Sequence, residues 1–216
     1  MEIAKENKGK VYIIDFDDYC DNTVSCLYIL EEIKNKYPDF KCTLFTIPSR
    51  CNMTTIDRAK SLGDWIALAP HGYFHTKGEC LGWTAEETVD KIRLAAAAGI
   101  DAPIFKAPAW LLDAEVYEAC KQLDYVVASH KDFRIPFSNR LVAGPVKEYV
   151  YNAPNLRLKW TRSIHGHVSN VSGNWIKDMW EDGRISFREG AKFIHTWEAA
   201  VTEESKYNPL REKANV

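Results

Sequence analysis

Residues 65–75 read Trp-Ile-Ala-Leu-Ala-Pro-His-Gly-Tyr-Phe-His, an apolar run that leads directly into a pair of histidines. The continuous apolar run predicts a strand covered on both faces, and Pro70 and Gly72 predict a loop after it. On a helix, His71 and His75 would share one face, but in a loop the four-residue spacing leaves their geometry open. Two histidines in a turn also form local hydrogen-bonding motifs, so their interpretation as metal ligands depends on other residues.

An acidic stretch near the N-terminus follows a second apolar run in the same way. Val-Tyr-Ile-Ile at residues 11–14 leads into Asp15, Asp17 and Asp18. Helix capping is an alternative role for Asp15 or Asp18. Carboxylates and imidazoles at the ends of different strands are N and O ligands that suit zinc, with one position left open for water.

Apolar runs alternate with helical patterns from residue 10 to about residue 127. Strands that alternate with helices of about 10–15 residues predict βαβ units and a parallel sheet or barrel. The five strands predicted in this part are Lys10–Phe16, Cys42–Ile47, Trp65–Ala69, Pro103–Lys106 and Tyr125–Ala128. After it, we predict a hairpin of Lys147–Tyr151 with Leu156–Trp160, a strand around Ser163–Val168 and a last strand Lys192–Trp197.

Helix starts are predicted from capping residues. Asn22 or Thr23 is expected to cap a helix that runs to about Lys36, and Thr54 or Thr55 to open a short one. Thr84, with Glu three residues later, has the spacing of a capping box, and Asp113 is predicted to cap the helix that follows it.

Composition describes an ordinary globular protein of 216 residues, 46% hydrophobic and 27% charged. The length predicts a single domain over residues 1–216. A net charge of −2 without a sustained basic stripe argues against a nucleic-acid partner. The polar N-terminus, the lack of an apolar run near the ~20 residues of a membrane span, and six scattered cysteines lead us to expect a cytoplasmic protein with no membrane contact.

Four polar sets lie just after apolar runs. In parallel α/β proteins the carboxyl ends of the strands converge on one face, where functional sites are built. Each set alone has an ordinary alternative, such as a solvated lysine, but their recurrence at the same structural position favours one common site. The sets are Asp15/Asp17/Asp18, His71/His75, Lys106 and His165/His167.

Phe16-Asp17-Asp18 after a first strand and His-x-x-x-His after a third resemble motifs of the polysaccharide deacetylase family of metal-dependent carbohydrate esterases. There the motifs read T-F-D-D-G and H-[ST]-x-x-H. The resemblance implies an α/β fold, a distorted (β/α) barrel of about seven parallel strands. It also implies removal of an N-acetyl or similar acyl group from an amino sugar or polysaccharide.

The resemblance also implies roles for individual residues. Asp17 matches the catalytic base, whereas Asp18, His71 and His75 match the ligands of one divalent metal ion. Zinc suits these ligands best, with cobalt, nickel or manganese as alternatives. Lys106 lies where the family has a catalytic arginine.

A further histidine is expected to protonate the leaving amine. His165 best matches a Leu-His pair of the family, and His167 is the alternative because both fall on one strand face. His195 has two interpretations: it is the counterpart of the Leu-His pair, or it lines the same face as part of the substrate site. Tyr73 or neighbouring backbone N–H groups are candidates for stabilising the oxyanion. Trp110 suits stacking on a sugar ring, with core packing as the alternative.

Several residues depart from the family motifs. Asp15 replaces threonine, Tyr19 replaces glycine, Gly72 replaces serine or threonine, and Lys106 replaces arginine without its planar fork. Two other classes therefore stay open: a catalytically inactive sugar-binding protein, and a non-sugar amidase on the same fold. The expected partner is a carbohydrate or small N-acylated substrate, and the sequence does not predict an oligomeric state.

Overall fold

The computed structural model describes residues 11–130, 146–151, 161–169 and 175–200. The strands in this part of the chain are β1 Val11–Tyr19, β2 Cys42–Thr46, β3 Ile66–Pro70, β4 Ile104–Lys106, β5 Val126–His130, β6 Glu148–Tyr151, β7 Thr161–His167 and β8 Lys192–Ile194. The helices are α1 Cys26–Lys36, α2 Met53–Lys60, α3 Ala85–Ala97, α4 Ala114–Gln122 and α5 Ile176–Glu181.

The described residues group into two compact units. The first contains β1, β2, β7, β8, α1, α2 and α5, and the second contains β4, β5, β6, α3 and α4. Strand β3 begins in the first unit and passes into the second at residue 69. That residues 1–216 form one domain stays a prediction.

Strand β1 is the centre of the first unit. It pairs in parallel with β2 along its carboxyl half, with β8 along its amino half, and with β7 over most of its length. Strand β3 lies beside β2. The side chains on β1 are nearly all buried, as expected of a strand covered on both faces.

The second unit is built on the parallel sheet β4-β5-β6. Beyond the end of β3, His71 forms a parallel bridge with Lys106 at the end of β4. Strand β6 lies parallel to β5. The other strand of the predicted hairpin, Leu156–Trp160, falls outside the described residues, so the hairpin stays a prediction. The predicted α/β class with parallel strands is confirmed.

Side-chain caps fix three helix starts. The Thr84 hydroxyl accepts the N–H of Glu87 at 3.1 Å, and Asp113 accepts the N–H of Glu115, which confirms both predicted caps. Helix α2 begins earlier than predicted because Asn52 accepts the N–H of Thr55 at 3.0 Å.

The first helix begins later than predicted. Residues 21–23 form a separate 3-10 turn, in which the Thr23 hydroxyl accepts the N–H of Cys20 at 2.8 Å. The α-helix then starts at Cys26. Within the described residues, no helix has the length and apolar character that crossing a membrane requires.

Candidate metal and acid-base site

In the first unit, an imidazole lies between two buried carboxylates. The register sets Asp15 beside His165, and period-two alternation brings Asp17 to the same face of β1. Asp15 Oδ1 is 2.7 Å from His165 Nδ1, and Asp17 Oδ2 is 3.7 Å from His165 Nε2. Both carboxylates are buried, whereas the His165 side chain is 24% exposed. Ligand atoms of the three side chains lie within 4.8 Å of one another.

This arrangement assigns different tasks to the two ring nitrogens of His165. An ionised carboxylate only accepts hydrogen bonds, so at 2.7 Å Nδ1–H donates to Asp15. The Asp15 contact therefore fixes the ring orientation, and Nε2, which faces Asp17, is the nitrogen suited to proton exchange. From the sequence, Asp15 belongs to the acidic set expected at the site, and it is also a motif departure and a candidate helix cap. The contact with His165 is what the sequence does not predict.

His167 lies one step further along the same face of β7. Its register partner is Asp17, and its ring centroid is 5.7 Å from that of His165. It is therefore close to the group formed by Asp15, Asp17 and His165.

Asp18 leaves the regular alternation of β1. The β1–β2 register shifts between Phe16 and Tyr19, and Asp18 has a left-handed φ of 72°. The Ser169 hydroxyl donates to Asp18 Oδ2 at 3.4 Å. A non-glycine residue in this region costs on the order of 1–3 kcal/mol, and such strain clusters at functional sites.

In the second unit, the two histidines of the loop after β3 lie side by side. The ring centroids of His71 and His75 are 4.9 Å apart. His71 is buried, and its Nδ1 lies 3.1 Å from the carbonyl oxygen of Lys106. Because a carbonyl only accepts, Nδ1 carries the proton of the neutral ring and Nε2 carries the lone pair.

The loop closes around one carboxylate. Glu79 Oε1 accepts the N–H groups of Tyr73 and His75 at 3.0 and 2.9 Å, and Oε2 accepts that of Phe74 at 2.8 Å. Since these three N–H groups are already bonded, the suggestion that they stabilise an oxyanion is not supported. The Tyr73 ring packs against the core of the unit, so we do not place it in the site either.

Lys106 is buried against aromatic rings at the end of β4. Its Nζ lies 3.9 Å from the ring centroid of Trp110 and 4.8 Å from that of Tyr151. Such faces attract a cation. Both Ala109 and Trp110 have positive φ values, so the Trp110 ring is presented by an uncommon backbone conformation.

His195 lies elsewhere in the first unit. Strand β8 ends at Ile194, and His195 Nε2 is 3.1 Å from the carbonyl oxygen of Asp64, just before β3 begins. Burial lowers the pKa of His195 below its ordinary value of 6.5. His195 therefore follows the carboxyl end of β8 directly, while its ring contacts the amino end of β3, and its place in a substrate site stays a prediction.

Solved structures of CE4 proteins are similar to this chain. The peptidoglycan deacetylase PdaC from Bacillus subtilis is 15% identical with a TM-score of 0.54, over 97% of this chain and 95% of its own. A family 4 acetyl xylan esterase from Clostridium thermocellum, in complex with cobalt, is 14% identical with a TM-score of 0.54, over 88% and 90%. A CE4 family pseudoenzyme from Bacillus anthracis is 17% identical with a TM-score of 0.54, over 88% and 65%.

No protein-family model matches the chain, and no curated protein matches it in sequence. Because the sequence identities are only 14–17%, the similarity to these solved structures establishes the fold alone. This chain therefore has the α/β fold of the CE4 deacetylases, and the fold that the resemblance implied is confirmed.

The close approach of Glu79 to Gly72 gives a test of the loop. A Cβ on Gly72 would fall 1.9 Å from Glu79 Oε1 and 2.8 Å from Pro108 Cδ, and Gly72 has a φ of +59°. Gly82 also has a positive φ, but a Cβ there meets no atom within 4 Å. Both alanine variants incur backbone strain of about 1–2 kcal/mol, so Gly72→Ala should lower the melting temperature further than Gly82→Ala in circular dichroism. Equal shifts would contradict the packed loop.

Proposed function

We propose that this protein is a metal-dependent hydrolase that removes an N-acetyl or similar acyl group from an amino sugar. The observation that carries the proposal is the imidazole of His165 held between the buried carboxylates of Asp15 and Asp17. Asp15 orients the ring, and Asp17 is available as a base. Amide hydrolysis needs a general base for the attacking water and a general acid for the leaving amine. Because the solved structures of similar fold are CE4 proteins, including a deacetylase, an amino sugar is the favoured substrate class.

Asp18, His71 and His75, which match the family's metal-ligand motifs, are the proposed ligands of one divalent metal ion. One carboxylate and two imidazoles leave a coordination position for water or substrate, as in catalytic zinc sites. His71 has the hydrogen bond typical of a metal-bound histidine, since its Nδ1–H donates to a backbone carbonyl and its Nε2 keeps the lone pair. The bound ion would polarise the acyl carbonyl and acidify a water.

Zinc is the proposed ion, because N and O ligands in this number suit it. Cobalt, nickel and manganese share these preferences, and availability decides among them. The similar acetyl xylan esterase holds cobalt in its solved structure.

The residues of the chain divide the proton transfers between them. Asp17 takes the proton of the attacking water. His165 acts as an imidazolium: it gives the proton on Nε2 to the leaving amine and becomes neutral, while its Nδ1–H stays bonded to Asp15, which keeps the ring in place. We favour His165 as the acid because its ring is oriented by Asp15 at 2.7 Å and its Nε2 faces Asp17; His167 is the alternative.

Lys106 and Trp110 are proposed to contact the substrate. The buried ammonium of Lys106 contributes positive charge where the family has an arginine, and the Trp110 ring beside it offers an apolar face. Aromatic faces of this kind suit the C–H face of a sugar ring.

Zinc uptake tests the proposed ligands. Wild-type protein stripped with a chelator should bind about one equivalent of zinc in calorimetry, because the donor set is that of a mononuclear catalytic site. The His71→Ala/His75→Ala double variant should lose this binding, since two of three ligands are removed. His195→Gln, which also removes an imidazole but from the amino end of β3, serves as the control. Equal uptake by the double variant and the control would contradict the assignment.

Acetate release tests the proposed base. With zinc bound, Asp17→Asn should release acetate from N-acetylglucosamine oligomers about 10²–10⁴-fold more slowly than wild type, the usual contribution of a general base. Its zinc affinity should stay within a few-fold of wild type (~3-fold) because Asp17 is not a proposed ligand. Asp90→Asn, a matched change on the exposed face of α3, should keep full activity.

Other outcomes of that assay separate the remaining classes. Activity on a simple N-acetyl amide but not on sugar oligomers would identify a non-sugar amidase. A zinc-loaded wild-type protein that binds the oligomers and releases no acetate would overturn the proposed hydrolase in favour of an inactive sugar-binding protein.

A further inference from the structure

We infer that Glu79 is a positioning residue that sets the conformation of the 71–75 loop and thereby the placement of the His71 and His75 rings. The inference rests on the proposed function in one respect, namely that these two rings bind a metal ion. Glu79 contributes no ligand itself; it acts through the backbone between the two histidines.

The first support is the number of hydrogen bonds that one side chain accepts. Three successive N–H groups, those of Tyr73, Phe74 and His75, point at the Glu79 carboxylate at distances of 2.8–3.0 Å. Successive N–H groups that converge in this way form an anion-binding concavity in the backbone. Hydrogen bonds to an ionised acceptor are also about twice as strong as neutral ones.

The second support is the space inside the loop. Gly72 approaches Glu79 so closely that the position of an added Cβ falls 1.9 Å from Oε1. His75, at the other end of the loop, has a left-handed φ of 61°. Both departures from ordinary backbone occur where the chain bends around the carboxylate, so the loop conformation is adapted to Glu79.

Contacts on the other side of the loop hold the aromatic residues. Lys91 Nζ lies 5.4 Å from the ring centroid of Tyr73 and 5.1 Å from that of Phe74. The N–H of Ser49 donates to the carbonyl oxygen of Tyr73 at 3.1 Å. These contacts hold the rings of Tyr73 and Phe74 and the carbonyl group of Tyr73, whereas the Glu79 carboxylate accepts the three N–H groups.

Glutamine is the informative replacement for Glu79 because it keeps the shape and removes the charge. Its single carbonyl oxygen can replace Oε1, but its NH₂ group would face the N–H of Phe74, donor against donor. Glu79→Gln should therefore loosen the loop while leaving the core of the unit intact. Glu86→Gln, the same change at an exposed position in the first turn of α3, is the matched control.

Calorimetry with Zn²⁺ as the probe measures the effect on the two histidines. We expect Glu79→Gln to bind zinc about 10–100-fold more weakly than wild type, the usual loss when an outer partner of a metal ligand is changed. Glu86→Gln should bind as wild type does. In the presence of a chelator, circular dichroism should show both variants folded, and an unchanged zinc affinity in the folded Glu79→Gln protein would contradict the positioning role.

Hydrogen exchange of the amides of Tyr73, Phe74 and His75 measures the loop without any metal. These amides should exchange faster in Glu79→Gln than in Glu86→Gln because their acceptor is weakened. Unchanged exchange and unchanged zinc affinity would overturn the inference. If wild-type protein takes up no zinc, the proposed function fails. In that case, faster amide exchange in Glu79→Gln would still support Glu79 as the residue that sets the loop conformation. Unchanged amide exchange would overturn that role as well.

Discussion

The parallel register between β1 and β7 is the constraint on which the proposed acid-base group of Asp15, Asp17 and His165 depends. It sets Asp15 beside His165 and Asp17 beside His167 at the carboxyl end of the central strand. A shift of one residue in this pairing would turn the imidazole to the opposite face of the sheet. Because a buried carboxylate without a partner is costly, the contact of Asp15 with His165 satisfies the buried acid and orients the ring at the same time.

Two of the proposed functional histidines are held in the same manner. His165 uses Nδ1 to contact a carboxylate, and His71 uses Nδ1 to contact the carbonyl oxygen of Lys106. In each case one ring nitrogen fixes orientation and tautomer, so the other is presented in a defined direction. Glu79 extends this principle to the backbone, because it holds the loop that carries His71 and His75. Rigid placement of reactive groups is what metal-assisted hydrolysis requires of its protein.

Sequence patterns were sufficient for the class of fold, since apolar runs separated by capped helices already predict parallel strands. They were not sufficient for contacts between distant strands: Asp15 and His165 are separated by 150 positions, and only the register brings them together. The role of Glu79 had no sequence signal of its own, because its partners are backbone N–H groups that any residue carries. The contact of the His195 ring with the carbonyl oxygen of Asp64 likewise has no sequence signal, because it joins residues 131 positions apart.

The central claim is that one metal ion binds to Asp18, His71 and His75. A crystal of the zinc-loaded protein, measured on both sides of the zinc absorption edge, tests it directly. We expect a single anomalous peak at about 2.0–2.2 Å from a carboxylate oxygen of Asp18 and from one ring nitrogen of each histidine. A peak at the group of Asp15, Asp17 and His165, or no peak at either group, would contradict it.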